Sequence, residues 1–123
     1  MPITLDAGAT PLTIRPLLNV NHSCEPNCYF RMRSIAQKDM YAVRDIAAGE
    51  ELTHDYSATA VDQIDNPIGW ILDCACGSAH CRRKVIGDFF TLSPDLQRRY
   101  YPNLPPSIKR KYHQRFQDIL DFR

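Results

Sequence analysis

The chain has 123 residues, 44% of them hydrophobic and 24% charged, and a formal net charge of +1. That length suits one domain with a modest core, and the near-neutral balance argues against a nucleic-acid binder or a membrane-surface binder. No apolar run is long enough to span a bilayer, and Met1-Pro2-Ile3-Thr4 does not open a signal peptide.

In chain order, Leu12-Thr13-Ile14 and Leu17-Leu18 suggest a strand broken by Pro11 and Pro16. Residues 21–28 carry Pro26 and two asparagines, so irregular backbone is expected there. From Tyr29 to Ile35 the pattern alternates, with Tyr29, Arg31 and Arg33 on one side and Phe30 and Met32 on the other. A polar turn at 36–39 leads to Met40-Tyr41-Ala42-Val43, and the pair predicts a β-hairpin. Ala48-Gly49-Glu50 is a second turn and Glu51-Leu52-Thr53 a further short strand. Residues 57–73 are less regular, ending in the apolar anchor Trp70-Ile71-Leu72.

Ser93-Pro94-Asp95 has the form of an N-cap, a proline at the first helical position and an acid in the first turn. The helix it opens is expected to end near Tyr100, before Pro102. Pro105-Pro106-Ser107 opens a second, whose apolar stripe is Ile108, Tyr112 and Phe116 with Ile119 and Leu120. Between Arg98 and Arg115 there are six Lys/Arg and no Asp or Glu. In a chain that is neutral as a whole, this run reads as a solvated helix face rather than a nucleic-acid surface.

Five cysteines is an odd number, which fits reduced thiols and a metal better than a disulfide framework and points to a reducing interior, cytoplasmic or nuclear. Cys74-Ala-Cys76-Gly-Ser-Ala-His-Cys81 is a Cys-x-Cys-x4-Cys cluster, one ligand short of the four-thiolate tetrahedron that zinc prefers. Gly77 permits the tight turn such a cluster needs. Among cysteines the fourth ligand is Cys24 or Cys28, and His80 is an adjacent substitute. Either distant cysteine would make a long-range staple. A metal with four protein ligands has no open position and acts structurally.

Two further motifs carry polar chemistry. Asn21-His22-Ser23-Cys24-Glu25-Pro26-Asn27 places a histidine near a cysteine, but cysteine-protease chemistry needs a positioned thiolate–imidazole pair, and a zinc-bound Cys24 is no nucleophile. No Gly-x-Ser-x-Gly turn exposes a serine. In Ala48-Gly49-Glu50-Glu51-Leu52-Thr53-His54-Asp55-Tyr56, a tyrosine just past a strand can orient an amine or simply anchor in the core with its hydroxyl satisfied.

Taken together and in this order, Asn-His-Ser-Cys-x-Pro-Asn, Gly-Glu-Glu-Leu-Thr-x-Asp-Tyr and Cys-x-Cys-x4-Cys resemble the C-terminal half of a SET-domain protein-lysine methyltransferase with its post-SET zinc segment, over residues from about 15 to about 88. The resemblance implies a mainly β fold with short C-terminal helices, a SET-type β-clip with a pseudo-knot and a zinc-bound post-SET segment. The pseudo-knot is an exception to unthreaded topology. The implied division is a SET-like core over 1–60, a linker and post-SET zinc segment over 61–88, and a helical extension over 89–123.

The resemblance further implies S-adenosylmethionine-dependent methyl transfer to a lysine amine of a protein substrate, a histone or another protein. Asn21, His22 and Val85 would contact the cofactor, Tyr56 would be the active-site tyrosine, and Cys24 would join Cys74, Cys76 and Cys81 on zinc, leaving Cys28 a free thiol. His54 occupies a substrate-channel position where the family often has Phe or Tyr. About twenty residues precede Asn21, and Ala7-Gly8-Ala9 does not match the family's Gly-x-Gly-type turn. The expectation is that the chain is a minimal form or a fragment, that another chain or a second copy of this one completes the site, or that the chain is a catalytically incomplete zinc-binding interaction module.

Overall fold

The computed structural model describes residues 20–120. The strand expected between Leu12 and Leu18 lies outside them. Within them, small strands come first and short helices follow. Strand β1 is Asn21–His22, β2 Cys28–Met32, β3 Lys38–Ala42, β4 Thr53–His54, β5 Ile71–Asp73 and β6 Lys84–Ile86. The helices are α1 Pro94–Tyr100, α2 Pro106–Lys111 and α3 His113–Leu120.

The strands form three two-stranded ladders. β2 and β3 make the expected antiparallel hairpin, with Phe30 opposite Met40. Alternation sets its faces: Cys28, Phe30 and Met32 are buried, while Arg31 is exposed and Tyr29 stacks on Tyr41 across the strands at 5.5 Å. β5 and β6 are also antiparallel, with Leu72 opposite Val85. β1 and β4 pair in parallel, Asn21 with Thr53 and His22 with His54. Here the structure corrects two expectations. Asn21–His22 is strand rather than irregular backbone, and the strand expected at 51–53 sits at Thr53–His54. Both belong to a parallel ladder whose partners are some thirty residues apart, which no local pattern announces.

Asn27 seals this region. It is buried, and its side-chain oxygen accepts from the Thr53 N–H at 2.8 Å while its amide donates to the Glu51 carbonyl at 2.7 Å. Its own backbone N–H donates to the Thr53 hydroxyl at 3.2 Å. One side chain thus extends the β1–β4 ladder by standing in for a strand.

The helices pack as the stripe predicts, with one correction. Ser93 caps α1 by accepting from the Leu96 N–H at 3.3 Å. The single helix expected beyond Pro106 is two, broken at Tyr112, whose backbone (φ −110°, ψ 25°) leaves the helical range. The break lets Ile108 on α2 and Phe116 on α3 enter one core with Met32, Val61, Phe89, Leu92, Tyr100 and Leu104. Phe116 meets Phe90 and Tyr101 at ring distances of 5.0 and 4.8 Å. A second cluster, Val20, Cys28, Phe30, Met40, Ala42 and Ile46, lies under the hairpin. β2 joins the two, since Met32 belongs to the first and Cys28 and Phe30 to the second. The basic run serves this packing: Lys109 sits over the Tyr101 ring, Lys111 over Tyr112, and Arg115 over Phe90 while pairing with Asp65.

Gly87 is fixed by a close approach. A Cβ there would meet the Trp70 indole at 2.5 Å, and its N–H donates to the Trp70 carbonyl at 2.9 Å. Gly87→Ala is expected to displace the indole and cost about 1–3 kcal/mol, the usual range for overpacking. Denaturant unfolding followed by the fluorescence of Trp70, the single tryptophan, checks this through a lower midpoint and an altered native emission.

Candidate functional site

The first two motifs meet at His22, and the neighbouring Cys24 sulfur joins them to the third, 3.9 Å from Cys74. The His22 imidazole is almost fully buried, with 3% of the side chain exposed. The Nδ1 atom accepts from the Tyr56 backbone N–H at 3.0 Å, and Nε2 faces the Cys24 sulfur at 3.4 Å. An acceptor Nδ1 places the proton on Nε2, directed at the thiol. Burial pushes the His22 pKa down, and the Arg82 charge adds to this while Asp55 opposes it. The ring is therefore neutral, and the 3.9 Å approach of Asp55 to Nδ1 is a contact rather than an ion pair.

The sulfurs of Cys24, Cys74, Cys76 and Cys81 all lie within 4.8 Å of one another. Cys24 and Cys74 are 3.9 Å apart. A zinc tetrahedron with bonds near 2.3 Å needs sulfurs about 3.8 Å apart, so a small contraction closes the cluster on a metal. Cys24, not Cys28, is the distant partner. Cys28 is fully buried in β2, where burial pushes its thiol up. His80 is exposed and outside the group. Gly77 turns the intervening loop at φ +82°. Backbone N–H groups of Cys24 and Ser78 pull Cys76 down to about 6, while burial and its thiol neighbours hold Cys74 up at about 12. Four thiols this close cannot all ionise without a cation among them.

Tyr56 opens a 3-10 turn, Tyr56–Thr59, immediately after β4. Its hydroxyl donates to the Val20 carbonyl at 2.7 Å. Its ring is boxed by His22 at 5.3 Å, His54 at 4.8 Å and Trp70 at 6.4 Å. An open groove of about 550 Å³ runs past it, lined by Lys38, Tyr56, Thr59, Asp62, Trp70 and Leu72. His54 packs edge-on against Phe30 at 4.6 Å, and its buried Nδ1 has no hydrogen-bond partner. Asn21 is exposed, its amide donating to Glu51 at 2.8 Å. Val85 lies in β6, whose Ile86 carbonyl accepts from the Ser57 hydroxyl at 2.8 Å, so the strand meets the Tyr56 turn. Val85 itself is fully buried, so its side chain offers no open surface.

Sequence reasoning missed the residue that joins these parts. Asp55 has 1% of its side chain exposed and is held by the Arg82 guanidinium at 2.7 and 2.8 Å. The Tyr100 hydroxyl donates to it at 3.1 Å and the Ser57 N–H at 3.0 Å. Asp55 lies inside the motif at 48–56, and its position between His54 and Tyr56 is the available signal. Arg82 follows Cys81 directly. Nothing in the sequence marks Tyr100, which is 45 residues away from Asp55.

With this geometry in place, comparison with known proteins gives a consistent result. Residues 13–57 match the family model described as the SET domain. The histone-lysine N-methyltransferase ATX2 of Arabidopsis thaliana is 42% identical over 69 residues, covering 54% of this chain and 6% of ATX2. Histone-lysine N-methyltransferase 2B of Homo sapiens is 43% identical over 67 residues, 52% of this chain and 2% of that protein. The Arabidopsis histone-lysine N-methyltransferase SUVH4, H3 lysine-9 specific, is 33% identical over 90 residues, 66% of this chain and 14% of SUVH4. The chain thus spans a small part of the length of these relatives. Among the described residues no helix is long and apolar enough to cross a membrane.

The His54 environment predicts a pH dependence. Burial, helped by the Lys38 charge, lowers its pKa to about 4, against an ordinary value near 6.5. Between these values the unfolded chain binds a proton that the folded chain does not. The contribution is therefore complete above about pH 6.5 and lost as pH falls through about 4, amounting to roughly 3 kcal/mol at most. His54→Phe should lose less stability than the parent between pH 7.5 and 4.5. Paired urea titrations at matched metal content measure the difference, and parallel profiles would refute the assignment.

Proposed function

We propose that this chain, which carries a SET-domain segment of the histone-lysine methyltransferase family, transfers methyl groups from S-adenosylmethionine to a lysine side-chain amine of a protein. A histone is the favoured substrate and the nucleus the favoured setting, by analogy with the relatives. The observation that carries the reading is the double role of His22, which accepts from Tyr56 on one side and faces Cys24 on the other. Three motifs distant in sequence become one constellation. The proposed division is a SET-like core at 1–60, a linker and post-SET zinc segment at 61–88, and a helical extension at 89–123.

The residues suit the two absent groups. A sulfonium is a soft cation, stabilised by aromatic faces and carbonyl oxygens, and the wall around Tyr56 supplies both, through the His22, His54, Tyr56 and Trp70 rings and the Val20 carbonyl. When bound, S-adenosylmethionine supplies an already activated methyl group. Asn21 and His22 would hold it, and Val85, being buried, would support the site from behind. Tyr56 has one proton, which it donates to Val20, so its hydroxyl oxygen is left as an acceptor. Accepting an N–H of the incoming amine there would aim the nitrogen lone pair along one line, which is what an in-line displacement requires. Trp70 and Leu72 would pack the lysine's methylene stem along the groove. His54, neutral at physiological pH, would border the amine without repelling it. The amine must arrive unprotonated, and its proton passes to water.

Cys24, Cys74, Cys76 and Cys81 would hold zinc in a closed site, contributing on the order of 10 kcal/mol to folding and no catalytic position. Metal analysis should find one zinc per chain, with Cys24→Ser lowering retention as Cys76→Ser does. If only substitutions at 74–81 release metal, the long-range staple is wrong.

A second reading is a zinc-stapled interaction module without turnover. It is favoured by the exposed apolar strip of Ile68, Trp70 and Ile71, which are 88%, 40% and 65% exposed. Calorimetry of the zinc-loaded chain with S-adenosylmethionine separates the two. The methyltransferase reading expects one site, and no detectable heat would sink unaided catalysis. Tyr56→Phe should keep that affinity within a few-fold but slow methyl transfer to a lysine peptide about 100-fold through lost alignment. Unchanged turnover would remove Tyr56 from its role.

A further inference from the structure

We propose that Arg82 and Tyr100 are positioning residues, which hold the Tyr56 turn through Asp55 and so make its geometry depend on both the thiol cluster and the C-terminal helix α1. The assignment of a catalytic consequence rests on the methyltransferase reading above; the mechanical link does not.

Asp55 is the shared anchor. Its Oδ1 accepts from the Ser57 N–H at 3.0 Å, and so caps the turn that begins at Tyr56. Oδ1 also takes Nη2 of Arg82 at 2.7 Å, and Oδ2 takes Nη1 at 2.8 Å and the Tyr100 hydroxyl at 3.1 Å. A carboxylate has about four lone-pair sites, so this one is saturated and has a single orientation. From Arg82 the connection continues to the cluster, since its backbone N–H donates to the Cys24 sulfur at 3.3 Å. Arg83 stands in the left-handed region at φ 67°, unusual for a residue with a side chain. That conformation turns the chain sharply after Arg82, and the Cys74 N–H holds it by donating to the Arg83 carbonyl at 2.7 Å. Local strain is kept here by contacts that over-determine it, and its effect is to aim Arg82 inward.

Stability alone is a poor account of this arrangement. A buried ion pair is often no better for stability than an apolar replacement, and its attested use is to fix geometry. Tyr100 adds to this. Its ring belongs to the helical core, yet its hydroxyl reaches out of that core to the residue preceding Tyr56.

Two conservative substitutions in the zinc-loaded 123-residue chain test the proposal. Tyr100→Phe keeps the ring and removes only the hydroxyl. Arg82→Lys keeps the charge and removes the two-pronged grip. Amide hydrogen exchange should quicken about tenfold at Tyr56 and Ser57 in each, as loss of one charged hydrogen bond predicts, while Cys28–Met32 amides stay unchanged. In the same variants kcat should fall with the KM for a lysine peptide held within about twofold. A uniform rise in exchange across the chain, or none, overturns the positioning role. If the parent chain transfers no methyl group, the methyltransferase reading fails, and the exchange pattern still decides whether Asp55 holds the turn. Local exchange effects with unchanged kcat would overturn the catalytic consequence alone.

Discussion

A single buried carboxylate organises this molecule. Asp55 has almost no contact with water, and a charge in that position is tolerated only with a matching cation and full hydrogen bonding. Arg82 supplies the cation, and Tyr100 and Ser57 complete the bonding. Each partner comes from a different part of the chain: the segment after the cysteines, the first helix of the extension, and the turn at Tyr56. Removing one partner of such a pair typically costs about 3–5 kcal/mol. The three parts are therefore held in one relative arrangement by the demand of one side chain.

The thiol cluster works alongside it. Cys24 contacts the backbone of Arg82 and faces the ring of His22, so the sulfur nearest the core touches both routes to Tyr56. A metal there would fix a point to which the ring and the guanidinium are both referred. The cluster acts at His22 and the carboxylate at Tyr56, and the 3.0 Å hydrogen bond between these two residues joins them. Asn27 closes the third side by tying the strand ladder across the Glu51–Thr53 segment.

Electrostatics and packing are complementary in this arrangement. His22 and His54 are both kept neutral by burial, so the aromatic wall around Tyr56 carries no positive charge to oppose a cationic ligand. Arg82 is matched by Asp55, and Lys38, the cation on the groove's own lining, sits over the Phe30 ring at 5.9 Å. Trp70 leans over Gly87, which has no side chain to exclude it, and so lines the groove past Tyr56, while β5, which follows it, is exposed.

Much of this was legible from residues alone. Alternation over 28–42 specified the hairpin and its buried face, because side-chain period on a strand is fixed by the pleat. Ser93-Pro94-Asp95 specified a helix start, because capping is local chemistry. Cysteine spacing called for a fourth ligand and narrowed it to Cys24, Cys28 or the adjacent His80, and the order of three motifs carried the family resemblance. The sequence could not decide the parallel pairing of Asn21–His22 with Thr53–His54, the break at Tyr112, the orphaned Nδ1 of His54, or the convergence of Arg82 and Tyr100 on Asp55. Those depend on which distant groups meet in a low-dielectric interior, and the cost of leaving a buried polar group unmatched is set by the whole packed structure rather than by its neighbours in the chain.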